Sequence, residues 1–234
     1  LPELCVTGYT CGDLFLQETL LRGAEDALSR ILEETAELDM LTAVGLPVWN
    51  RWDSKLYNCA AVINRGKILA LIPKIYIPSY GEFYEGRWFA SGRGADYFLT
   101  FCGQRVNLDA HNPVVFDCEN VPNLTVGVEI CEDLWSTDPP STRLALNGAA
   151  VILNLSASNE VAGKAAYRRS LVAGQSARLV CGYVYADAGE GESTTDLVFA
   201  GHNMVAENGT ILAEKRFGTG LTISEIDVDK LVFE

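Results

Sequence analysis

The stretch Leu124-Thr125-Val126-Gly127-Val128-Glu129-Ile130-Cys131-Glu132-Asp133-Leu134-Trp135 decides how the rest of the chain is read. Apolar strand text stops at a cysteine, and an acidic turn follows at once. A residue at a strand end lies at the edge of its sheet, where the side chain can meet a ligand. Upstream, residues 114–118 form another expected strand. Downstream come a helix at 141–148, a short buried strand at 151–155, a helix at 165–179 and a strand at 182–186. Further strands are expected at 198–206, 211–215 and 221–228, with Asn208-Gly209 as a hairpin turn.

The first half carries a long amphipathic segment from Asp13 to about Leu38. Leu14, Leu21, Ala24, Leu28, Ile31 and Leu32 recur at helical spacing, and Asp13 is the expected N-cap. Strands are expected at 42–49, 56–63 and 67–73, the last two joined by Asn64-Arg65-Gly66. Residues 75–95, rich in glycine, proline and aromatics, read as a long ordered loop. Nothing resembles a linker. The simplest architecture is one α/β domain, residues 1–234, with two packed sheets covered by helices.

Composition removes several functions. Eighteen basic against 31 acidic side chains give a net charge of −13, which would repel a nucleic-acid backbone. A hydrophobic share of 48% excludes a disordered chain, yet no apolar run approaches the ~20 residues needed to cross a bilayer. With seven cysteines, two histidines and no C-x-x-C spacing, no metal site is expected. Cys5, Cys59, Cys118 and Cys181 sit in apolar text and read as buried core residues. An odd number of thiols and no signal peptide fit a reducing, cytoplasmic compartment. The glycosylation sequons at Asn123, Asn154 and Asn208 are read as chance. Gly81-x-x-x-x-Gly86-Arg87-Trp88 lacks the lysine and hydroxyl of a phosphate loop.

Three chemistry-bearing residues end apolar strand text. Cys131 can attack as a thiolate, and the turn amide after it can face a developing oxyanion. Neither His111, in a loop, nor His202 is placed to be its base. Glu3, within Leu1-Pro2-Glu3-Leu4-Cys5-Val6, is a carboxylate whose burial would raise its proton affinity. Lys74, after Ile68-Leu69-Ala70-Leu71-Ile72-Pro73, is its counterpart of opposite sign. The three can converge if their strands are neighbours; otherwise Glu3 and Lys74 make a salt bridge and Cys131 is one more core thiol.

Pro2-Glu3-Leu4, Pro73-Lys74 with Tyr80-Gly81-Glu82-Phe83-Tyr84-Glu85, and Val128-Glu129-Ile130-Cys131-Glu132-Asp133-Leu134-Trp135 resemble the Glu-Lys-Cys signature of the nitrilase, or carbon–nitrogen hydrolase, superfamily. Thr7-Gly8-Tyr9-Thr10-Cys11-Gly12-Asp13-Leu14-Phe15 and Asn154-Leu155-Ser156-Ala157-Ser158 are similar to the glutaminase domains of glutamine-dependent NAD synthetases. The resemblance implies a nitrilase-like four-layer α-β-β-α sandwich, here lacking the first strand and helix. It implies that Cys131 attacks the side-chain amide of glutamine, that Glu3 moves the proton, and that Lys74 with the Glu132 amide stabilises the oxyanion. Substrate contacts are implied at Tyr9, Tyr80, Glu132, Trp135, Ser158 and Lys164, and Glu82 is expected as a second carboxylate near the triad. The glutaminase reaction needs no cofactor. ATP, magnesium and deamido-NAD would belong to a synthetase domain that this sequence does not include. The implied partners are glutamine, that synthetase domain and further copies of the chain. Two rival readings stand beside this one: a stand-alone amidase acting on another small amide, and a non-catalytic assembly module.

Overall fold

A computed structural model describes every residue from Leu1 to Glu234. The chain divides into two compact units, Leu1–Asn112 and Pro113–Glu234, each with its own sheet.

In the first unit, α1 (Glu18–Glu34) follows a 3-10 turn over Gly12–Leu16. The expected helix thus starts later than its apolar spacing suggested, and Asp13 is not its cap. Asp13 instead accepts two hydrogen bonds from Arg87, at 2.6 and 2.9 Å, and one from Trp88 Nε1 at 2.8 Å. A bidentate guanidinium is a stronger partner for a carboxylate than a helix end. The sheet runs β1-β2-β3-β5-β4, with β1 (Thr42–Asn50), β2 (Lys55–Asn64), β3 (Lys67–Pro73), β4 (Asp96–Phe101) and β5 (Gln104–Asp109). All neighbours are antiparallel except β3 and β5. Arg65 and Gly66, at φ 46° and 73°, make the tight turn between β2 and β3, a conformation whose twist matches the flanking strands. Leu28 and Leu32 of α1 pack with Val44, Leu46, Ile63 and Leu71 of the sheet. Burying each such side chain contributes about 1.5–3 kcal/mol.

The β4–β5 hairpin had no counterpart in the sequence reading. Cys102 and Gly103 make its turn, at φ 49° and 69°. A cysteine in the first left-handed position is not the Asn-Gly or Asp-Gly pair that announces such a turn.

In the second unit, the sheet order is β11-β10-β9-β8-β7-β6. Its strands are β6 (Val115–Asp117), β7 (Thr125–Ile130), β8 (Val151–Ser156), β9 (Gly182–Asp187), β10 (Asn203–Glu207) and β11 (Thr210–Lys215). The central β7-β8-β9 run is parallel, and its crossovers carry α2 (Glu132–Trp135), α3 (Pro140–Leu146) and α4 (Lys164–Leu179). Leu134, Leu144, Ile152, Val172, Tyr183 and Met204 share the core.

Two strand expectations fail here. Residues 198–202 carry no strand, so β10 begins at Asn203. Residues 221–227 are not a strand either, and α5 (Val228–Phe233) follows them, capped by the Asp227 side chain on Lys230 N at 3.0 Å. Leu221 and Ile223 are exposed. Thr222, Ser224 and Ile226 are half-buried on the other side, but the segment belongs to neither sheet. Among the cysteines read as core, Cys59 and Cys181 are buried, but Cys5 is exposed and Cys118 half-buried.

Candidate active site

Two polar constellations stand out, one in each unit. The first is built on charge. Pro2 and Leu4 run beside β1, with Leu1 N donating to Ala43 O at 3.1 Å and Val6 N to Gly45 O at 3.2 Å. A side chain on Gly45 would collide with Leu4 N and would meet Pro2 O at 2.6 Å, so only glycine lets this segment lie so close. Leu4 then adopts φ 48° and bends the chain. That bend leaves Glu3 buried. Lys74, just past β3, is anchored by its own backbone: its N–H donates to Asn58 O and its carbonyl accepts from Gly92 N, both at 2.8 Å.

Lys74 Nζ donates to Glu3 Oε1 and to Glu85 Oε1, each at 2.6 Å. All three side chains are at most 2% exposed. Asn58 Nδ2 donates to Glu3 Oε1 at 2.6 Å, and the Tyr9 hydroxyl donates to Glu85 Oε1 at 2.7 Å. Two carboxylates thus share one ammonium away from water. Burial pushes the Glu85 carboxyl up to about 7; Lys74 opposes the shift and the neighbouring Glu3 charge adds to it. Such a setting can poise Glu85 to exchange a proton near pH 7.

Glu85 is the residue the sequence reading missed. Glu82 was expected as a second carboxylate near the triad; Lys74 also binds Glu85, three positions further on. The 3-10 turn over Glu85–Arg87 sets its direction. A sequence signal existed: Glu85 sits between Tyr84 and Trp88-Phe89, an acid in aromatic text that needs a partner. Tyr80 is exposed, its ring edge-on to Phe83 at 5.9 Å.

The second constellation is built on backbone placement. Cys131 ends β7 with φ 44° and ψ −100°, a conformation that costs a non-glycine residue about 1–3 kcal/mol. Neighbouring bonds hold it there. Asp133 Oδ2 accepts from Ile130 N at 3.0 Å, Leu134 N donates to Cys131 O at 3.0 Å, and Cys131 N donates to Asn154 Oδ1 at 3.2 Å. Glu132, half-buried, is the first residue of α2.

Lys164 starts α4. Its ammonium donates to Asn159 Oδ1 and lies 5.2 Å from the centre of the Trp135 ring. Ser158 is gripped on both sides: its N–H donates to Asp187 Oδ1 at 2.8 Å, and its hydroxyl accepts from Arg168 Nε at 3.2 Å. Burial raises the Asp187 carboxyl to about 7, against the pull of Arg168. His202 has both ring nitrogens engaged, Nδ1 by Arg168 at 3.0 Å and Nε2 by Glu214 at 2.8 Å. Of the expected site residues, the first unit therefore gathers Glu3, Lys74 and Tyr9 round Glu85. The second unit places Trp135, Ser158 and Lys164 round the Ser158–Lys164 segment, and Cys131 at the end of β7.

The model of the carbon-nitrogen hydrolase family matches residues 1–232. The chain belongs to this family. Over 229 residues it is 44% identical to the glutamine-dependent NAD(+) synthetase of Mycobacterium tuberculosis, an alignment that takes in 97% of this chain and 33% of the relative. Among solved structures, a glutamine-dependent NAD(+) synthetase from Cytophaga hutchinsonii superposes with a TM-score of 0.77 at 29% identity, over 92% of this chain and 34% of that one. An amidase from Nesterenkonia shares the fold, with a TM-score of 0.74 at 18% identity over 100% of this chain and 78% of its own. The α/β class with two sheets and the nitrilase-like fold are thereby borne out. This carbon–nitrogen hydrolase spans about a third of the length of the curated relatives it matches. No helix in it is long and apolar enough to cross a membrane.

Proposed function

We propose that the chain is the glutamine-hydrolysing part of a glutamine-dependent NAD synthetase. The observation that carries the reading is the buried Glu3–Lys74–Glu85 cluster, in a chain 44% identical over 97% of its length to such a synthetase.

In this reading Cys131 attacks the side-chain amide carbonyl of glutamine and forms a thioester. Glu3 takes the thiol proton and delivers it to the departing ammonia, then activates the water that releases glutamate. Splitting one amide cleavage into two acyl transfers lowers each barrier. Lys74 and the backbone N–H of Glu132 stabilise the negative oxygen of the tetrahedral intermediates. Glu85 steadies the ammonium and the Tyr9 hydroxyl, so that Lys74 does not turn wholly toward Glu3. Ser158 and Lys164 take the α-carboxylate of glutamine, Glu132 takes its α-ammonium, and Tyr80 and Trp135 wall the side chain. The ammonia serves amide formation on deamido-NAD in a synthetase domain that binds ATP and magnesium.

Glutamate release from glutamine tests the reading. The parent chain is expected to release glutamate and Cys131→Ala to fall to background. Lys164→Ala is expected to raise KM by roughly tenfold or more, the weight of one charge-assisted hydrogen bond. Equal glutamate release by parent and Cys131→Ala overturns the proposal. Hydrolysis of a panel of small amides with no preference for glutamine points instead to a stand-alone amidase.

A further inference from the structure

Beneath Cys131 runs a chain of hydrogen bonds that an ionised Glu129 orders in one direction. Glu129 and Asn154 are paired in register on β7 and β8, and Tyr183 stands on β9. All three side chains are buried. The two oxygens of Glu129 accept from Ser141 N, at 2.7 Å, and from the Tyr183 hydroxyl. A phenol has one proton, and Tyr183 gives it to Glu129. Its oxygen can then only accept from Asn154, and Nδ2 of Asn154 donates to it at 3.0 Å. That fixes which end of the amide faces the other way. Oδ1 receives the N–H of Cys131 at 3.2 Å and the hydroxyl of Ser156 at 2.7 Å.

We infer that Glu129 and Asn154 are positioning residues for the nucleophile. The Glu129 carboxylate, three hydrogen bonds away, sets the direction of donation, and Asn154 holds the Cys131 amide in its left-handed conformation. The same bond occupies the Cys131 N–H inside the protein. This rests on the reading of Cys131 as the nucleophile.

Glu129→Gln tests it in the full chain. The substituted amide keeps the shape and removes the charge. The Ser141 N–H cannot turn away, so the oxygen of the new side chain faces it and the amide NH2 faces Tyr183. Tyr183 must then donate toward Asn154, and the Asn154 amide turns its NH2 against the Cys131 N–H, donor against donor. The expected result is a kcat at least tenfold lower, with KM within twofold and a cooperative unfolding transition retained. The rate at which iodoacetamide alkylates Cys131, read by peptide mass, is expected to fall in the same ratio as kcat. Should Glu129→Gln not fold, Tyr183→Phe breaks the middle link without changing charge and is expected to lower the alkylation rate in the same direction.

An unchanged alkylation rate at Cys131 in the variant that folds overturns the proposal. So does a rise in KM alone. A parent that hydrolyses no glutamine overturns the functional reading above; the alkylation ratio still decides this one, because it needs no substrate.

Discussion

The two units solve the same problem by opposite means. The first buries charge: an ammonium between two carboxylates, at 2.6 Å from each. The second buries mostly neutral dipoles under Cys131, with one acid, Glu129, at the far end. A charge cluster places reactive groups by attraction, and its strength depends on every member being present. A dipole chain places a backbone by direction, and its weak point is the order of donors and acceptors. In the first unit, removing a group should be costly. In the second, changing the sense of one group should matter more than its size.

The largest expected effect follows from Lys74→Met. It leaves two buried carboxylates facing each other with no counter-charge. Breaking a buried ion pair from one side costs about 3–5 kcal/mol, to be read from urea unfolding together with loss of amide hydrolysis. A loss under about 1 kcal/mol would mean that the cluster is open to water.

Next comes Gly45→Ala. Its new carbon would collide with the backbone of Leu4 and of Pro2, lying 2.6 Å from the Pro2 carbonyl oxygen. Overpacking of this kind costs about 1–3 kcal/mol, and the displaced segment carries Glu3. Activity should therefore fall further than stability alone explains. A variant that keeps full activity would show that Glu3 does not need this close approach.

A further test lies in the pH dependence of unfolding. Burial raises the Glu85 carboxyl to about 7 from an ordinary value near 4.5, and that of Asp187 to about 7 from 3.8. Between those limits the folded chain holds protons that the unfolded chain has released. Stability from these groups is full below the ordinary values and is lost as pH rises through about 7. Glu85→Gln should flatten the share from the first unit and leave that from the second. A slope identical in parent and variant would contradict the buried setting of Glu85.

The smallest expected change is Gly23→Ala, within α1, where an added carbon meets nothing within 4 Å. It should stabilise by about 0.5–1 kcal/mol through backbone entropy. Set beside Gly45→Ala, it separates a glycine needed for close approach from one that is not.

The sequence determined what each segment could become. The Arg65-Gly66 turn, the apolar β7 text ending at Cys131 and the Glu-Lys-Cys motifs were legible because they depend on local backbone preference or on residue type. Tertiary structure decided the rest, and always for the same reason: a polar group goes to its strongest partner in space. Asp13 left the helix end for Arg87. Residues 221–227 alternate like a strand but joined neither sheet. Glu85 met Lys74, because burial and the turn before Trp88 aim its carboxylate at the ammonium. Pairings between residues 71 positions apart, as with Glu3 and Lys74, leave no trace in spacing. The direction of the chain from Glu129 to Cys131 exists only once three strands lie side by side.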